Sequence, residues 1–332
     1  MDTRVPAGLL LIILAPASAP AMDLRYSYPP GLAPAVSTPV MGDFTASSVD
    51  GTLRLRASLG ATYLQANELV YSGEYRVSRL IWETKAPLLR GSVSVDLGYG
   101  VSLGAEGAVA IKGDSHMVDY DWLYGDDTFE NWTHRSEHPE TDLAHFWSGA
   151  ATIGYELANV DNAVVRLHGG LQFTDVKWDA FGGSYVYSSG AGFRDLQGSF
   201  GTGEPAISYR QQMPEVFVGI DGDEYYGDLR VGGLMRAGLV VGGLATDDHW
   251  MRDLRFTDEI YVQPAVELGL DVGYAVGSNA EITLGGRLKH MFEQRGDATS
   301  VDTNLGTKQR SIDSAAASFT QVDLTAGLRA RF

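Results

Sequence analysis

Two short acidic stretches hold the residues best suited to chemistry. Asp119 and Asp121 stand two apart in His116-Met117-Val118-Asp119-Tyr120-Asp121-Trp122. On an extended chain such residues project from one side, ~7 Å apart. Two carboxylates at that spacing can share a proton, hold a water or bind a cation. Asp247 and His249 repeat the spacing in Ala245-Thr246-Asp247-Asp248-His249-Trp250. A carboxylate that orients an imidazole makes it a general base toward water or a hydroxyl. Taken singly, each stretch also reads as a solvated acidic loop, and Asp126, Asp127 and Glu130 strengthen that reading for the first. Their value as a site depends on whether the fold brings them together.

The chain between them is regular. Beyond residue 50 the apolar period is two almost everywhere, as in Leu53, Leu55, Ala57, Leu59, Ala61 and Tyr63, or Val231, Gly233, Met235, Ala237, Leu239 and Val241. Equivalent runs span 101–111, 165–173, 266–274 and 280–288. Such alternation predicts strands. Glu106, Glu267, Asp271, Glu281, Arg287 and Lys289 occupy the opposite face, as they would around a polar lumen with lipid outside. Runs of ten residues or so suit a tilted crossing of a bilayer ~30 Å thick, whereas soluble strands average ~5–6 residues. The last run, Val322 to Phe332, ends on an aromatic residue, as the final strand of an outer-membrane barrel does. Four short turns (98–100, 158–162, 221–227, 277–279) alternate with five polar stretches read as long loops (64–74, 113–145, 175–206, 245–258, 293–315). The expected fold is therefore all-β: a ten-stranded antiparallel transmembrane β-barrel with long extracellular loops over residues 50–332. The two acidic stretches then emerge from opposite sides of the mouth.

The N-terminus supports export. Arg4, an apolar run from Leu9 to Ala15, and Ala19-Pro20-Ala21 follow the order of a secretory signal peptide. This predicts a signal peptide over 1–21, cut after Ala21 rather than after Ala19, and a flexible periplasmic leader over 22–49. The apolar run is too short for a membrane anchor, which needs about 20 residues. A net charge of -17 excludes a general nucleic-acid binder. The absence of cysteine excludes disulfides and thiolate chemistry. The histidines 134, 138, 145 and 168 show no metal-ligand spacing, so no metal and no cofactor in the strict sense is expected.

The chain resembles the omptins, outer-membrane aspartyl-type endopeptidases of Gram-negative bacteria. Met117 to Trp122, Trp132-Thr133, His138-Pro139, Gly182-Gly183-Ser184-Tyr185-Val186-Tyr187-Ser188-Ser189, Gly192-Phe193-Arg194-Asp195 and Asp247-Asp248-His249 carry the resemblance, which runs from about Leu53 to Phe332. It implies a ten-stranded barrel with its active site facing outside, and places the family's catalytic residues on Asp119, Asp121, Asp247 and His249. It also implies cuts beside basic residues of polypeptide substrates, with Glu68 binding the basic side chain before the cut. Two departures bear on that preference: Ala245 stands where the family often has a second acid, and His134 where an acid helps bind the residue after the cut. The resemblance further implies dependence on lipopolysaccharide. Asp175 replaces one family arginine, and Lys177 and Arg210 are the candidate substitutes, or else ordinary surface charges. A barrel kept as an adhesin with narrow or lost proteolysis is the main rival; a passive pore and a calcium-binding mouth are others.

Overall fold

In the computed structural model, residues 52–160 and 162–332 are described. The signal-peptide and leader readings fall outside them. The strands are β1 (Leu53–Ser72), β2 (Tyr75–Gly98), β3 (Val101–Ala110), β4 (Asp114–Asp121), β5 (His134–Val160), β6 (Ala163–Phe181), β7 (Ser184–Tyr187), β8 (Leu196–Ser199), β9 (Pro205–Tyr226), β10 (Leu229–His249), β11 (Leu254–Gly277), β12 (Ala280–Asp302) and β13 (Lys308–Arg331). β3 and β4 both lie between β2 and β5, so they are two pieces of one stave. β7 and β8 form a small hairpin that leans on β5. The remaining staves, ten in all, run antiparallel to their neighbours, and β1 pairs with β13 to close the ring. At that seam Leu53 and Phe332 exchange backbone hydrogen bonds of 3.0 and 2.9 Å. Closure leaves no unpaired edge in lipid.

The polar stretches expected as long loops are largely strand. β1 runs to Ser72 and β2 restarts at Tyr75; β12 runs to Asp302 and β13 restarts at Lys308. A 24-residue strand such as β2 spans about 80 Å along its axis, well beyond the ~30 Å of hydrocarbon. Above the membrane both faces of a stave meet water or a polar interior. The apolar alternation therefore fades while the backbone ladder continues. The Asp119/Asp121 and Asp247/His249 stretches consequently sit on β4 and β10, not on free loops.

Two layers of side chains line the barrel below its mouth. Near the short-turn end, Leu59, Leu89, Leu171, Val218, Leu270 and Leu324 project outward, exposed to lipid, while charges pair inside. Arg230 donates from Nε to Glu281 at 2.8 Å, from Nη1 to Asp223 at 2.7 Å, and from Nη2 to Asp271. Arg287 bridges Glu106 and Glu267 at 2.8 and 3.0 Å, and Lys289 meets Glu215 at 2.5 Å. Above these lies an apolar plug in which Trp82 stacks between Trp178 (6.1 Å) and Tyr209 (5.6 Å), beside the buried Met117, Phe146, Met291 and Phe319. The ion pairs surround a cavity of about 230 Å³, and the apolar plug above them forms the floor of a groove at the outer mouth.

Replacing Arg230 by leucine takes one cation from each of three lumen carboxylates and leaves Asp223 to Arg166, Asp271 to Arg56 and Glu281 to Arg329, one positive charge short. The expected cost is about 3–5 kcal/mol, read as a lower denaturant midpoint of the refolded barrel. An unchanged midpoint would mean that neighbouring arginines compensate.

Candidate active site

Two devices of the backbone put the four candidate residues on one cavity. On β4 the buried Met117 fixes the inward phase, so Asp119 and Asp121 follow on the same face, higher up. β10 changes phase. Below, the even-numbered Arg230, Arg236 and Val240 face inward; above, Ala245, Asp247 and His249 do. Relative to β9, β10 carries one extra residue between Val240 and Leu244, where Gly242 takes φ 69°. This bulge turns the Asp247/His249 pair into the barrel.

The His249 ring Nε2 lies 2.5 Å from Asp247 Oδ2. The Arg252 guanidinium leans on the same ring, its Nη2 donating to Nδ1 and lying 3.2 Å from Nε2. Across the mouth, Ser78 Oγ donates to Asp119 Oδ1 at 3.3 Å. All of these line a cavity of about 670 Å³, together with Glu68, His134, His138, Tyr187 and Asp258. Burial lifts Asp119 well above the usual carboxylate range, and the Asp121 carboxylate lifts it further. Asp121 is also raised by burial, against the opposing hydrogen bond from Ser78. The pair thus keeps a proton where isolated aspartates would have lost theirs. Burial, then the charges of Asp119 and Asp121, push the Tyr187 phenol up to about 12.

The hairpin of β7 and β8 completes one wall. Gly183 has φ 102°, and a Cβ there would lie 2.1 Å from the Glu137 carbonyl oxygen, so only glycine allows this approach to β5. In the resulting register Tyr187 pairs with His134, and their rings lie 4.8 Å apart. His138, buried beneath, bonds through Nδ1 to the Gly182 carbonyl at 2.6 Å and through Nε2 to Ser136 at 3.0 Å. Arg194 stacks over Trp132 at 3.5 Å and donates to its carbonyl.

Glu68, on β1, is 3% exposed at the cavity wall. His134 sits directly opposite Asp121 in the β4–β5 register. Lys177 and Arg210 do not join this site; they are direct cross-strand neighbours on the outer wall. Arg210 is held by Asp175 at 2.9 and 2.5 Å, and Lys177 by Asp179 at 3.0 Å. Asp258, Arg252 and Ser78 line the cavity without having been singled out in the sequence. Arg252 lies three residues past His249, a proximity legible beforehand. Asp258 becomes legible only once the pairing of β10 with β11 is known.

The closed barrel thus carries an Asp–His pair and an Asp–Asp pair on one cavity at its mouth. The family model described as Omptin family matches residues 49–332, and the chain belongs to the omptin family. Protease 7 of Escherichia coli (strain K12) is 30% identical over 295 residues, covering 87% of this chain and 93% of the relative. The plasminogen activator of Yersinia pestis is 29% identical over 83% of this chain and 88% of its own length. The crystal structure of the outer membrane protease OmpT from Escherichia coli superposes with a TM-score of 0.81 at 29% identity, covering 87% of this chain and 99% of that one. The chain is thus an outer-membrane β-barrel protein of a protease family.

In Asp121→Asn, Asp119 loses a like-charged neighbour. It is expected to titrate lower than in the parent, yet still above an ordinary aspartate, because burial persists. Carboxyl carbon NMR titration measures this, and an unmoved Asp119 would show that the two do not interact.

Proposed function

We propose that this outer-membrane endopeptidase is of the aspartyl type, hydrolysing peptide bonds with a water activated by the Asp247–His249 pair opposite the Asp119/Asp121 pair. The supporting observation is that both pairs line one groove at the mouth, with His249 tied to Asp247 at 2.5 Å. Asp247 accepts from Nε2–H, which leaves Nδ1 as the basic nitrogen. At rest Nδ1 accepts from the Arg252 guanidinium, so that cation must step aside before water can donate there. His249 then takes a proton from water, and the hydroxide attacks the scissile carbonyl carbon. The protonated member of the Asp119/Asp121 pair donates a hydrogen bond to the developing oxyanion, and its ionised partner orients the water. Collapse breaks the C–N bond as His249 returns its proton to the leaving amine. No enzyme nucleophile forms a bond.

The preferred substrates in this proposal are cationic polypeptides cut beside a basic residue. Glu68 and its acidic neighbours supply local complementarity, and the net charge of -17 steers cations from a distance. Lipopolysaccharide is the proposed lipid partner, at Lys177 and Arg210. Both cations already carry carboxylate partners, so its phosphates must compete with Asp175 and Asp179 there.

A quenched peptide library rich in arginine and lysine, offered to the refolded barrel with lipopolysaccharide, tests this. Cleavage should fall about 10²–10⁴-fold in His249→Ala, the usual worth of a general base. Full cleavage by that variant would refute the assignment. Lys177→Ala with Arg210→Ala should weaken the response to lipopolysaccharide without changing cleavage sites, as a lipid titration would show.

A further inference from the structure

Beside Ala245 of β10, a buried acid of the next stave, Asp258 on β11, faces the cavity. In the β10–β11 register Ala245 lies directly opposite Asp258. Residues so paired present their side chains to the same face, and Ala245 and Asp258 are both buried, 2% and 4% exposed. Asp258 therefore occupies the space beside Ala245, one strand over.

The surroundings of Asp258 form a slot with negative walls and a small-residue floor. Glu68 and Asp247 share the cavity with it. The two staves that separate β11 from β1 contribute only Ala298, Ser300, Ser311, Ser314 and Ala315 to the lining, which leaves the volume between the acids unfilled by protein. Glu68 Oε2 and Asp247 Oδ1 are buried and, apart from each other's carboxyl, meet no donor among the described residues. Arg252 is the one arginine or lysine lining the cavity among those residues, and it leans on His249. Buried carboxylates without a donor are costly, and a guanidinium or ammonium brought in by a ligand would satisfy them. Burial, then Asp247, raises Asp258 to about 7, so a cation entering the slot also favours its ionised form.

We infer that Asp258 is a specificity-determining residue of this protease, forming with Glu68 the two-carboxylate slot that binds the basic side chain next to the scissile bond. This inference rests on the proteolytic reading above and assigns the role that Ala245 vacates. A preference for basic residues then rests in this chain on an acid of β11 that stands directly opposite Ala245. Arginine fits best, because its fork can address both acids at once.

The test compares kcat/KM for a matched pair of peptides, one with arginine at the cut and one with norleucine. Asp258→Asn keeps the shape and removes the charge. Its arginine-to-norleucine ratio should fall roughly 10- to 100-fold, as for loss of one charge-assisted contact. Asp258→Ser combined with Ala245→Asp returns the acid to β10 and should recover the ratio. This second variant guards against a fold defect, as does the heat-dependent gel mobility of each barrel. An unchanged ratio in Asp258→Asn overturns the inference while leaving the protease intact. No cleavage of either peptide by the parent would instead sink the proteolytic reading itself.

Discussion

Every backbone group of a membrane-crossing strand must find a partner, because hydrocarbon supplies none. In this chain the demand is met by a ladder that closes through Leu53 and Phe332. The same ladder continues far above the lipid, and that continuation is what makes a site possible. Asp119 and Asp121 are held at fixed spacing because β4 is hydrogen-bonded on both sides, to β2 and β5. Asp247 and His249 are held likewise between β9 and β11. Rigid strands rather than mobile loops therefore set the distance across the mouth, which suits a mechanism that positions a water between two pairs.

Charge is arranged along the barrel in two contrasting ways. Near the short-turn end each lumen carboxylate meets an arginine or lysine, and the region is neutralised internally. At the mouth, Glu68, Asp119, Asp121, Asp247 and Asp258 line one cavity, and among the described residues Arg252 is the one arginine or lysine there. The apolar plug around Trp82 separates the two regimes and keeps the lower arginines from neutralising the upper acids. Burial first, and then the neighbouring negative charges, raise the carboxyl groups of Glu68, Asp119 and Asp258 above their ordinary range. In the proposed mechanism one aspartate of the mouth then donates a proton while another accepts.

Much of this was legible in the sequence. Period-two alternation gave the strands, the lumen charges gave the polar interior, and the i, i+2 spacing gave both candidate pairs. Counting by twos failed where the backbone inserts a residue. Continued from Val231 through Val241, the outward phase would carry Asp247 and His249 to the outside, and only the bulge at Gly242 turns them in. The stretches expected as loops were misread for a related reason, since strands wet on both faces lose the apolar signal while keeping their hydrogen bonds. Asp258 was invisible because its meaning lies in a cross-strand partner, Ala245, thirteen residues away in the chain.

The central claim is that both pairs act on one water in one step. A double-mutant cycle on kcat/KM, with Asp119→Asn, His249→Ala and their combination, addresses it most directly. Residues that serve the same event lose activity non-additively, so the double variant should be scarcely slower than the worse single one. If the two losses instead multiply in full, the pairs act independently, and a shared water between them is the wrong account.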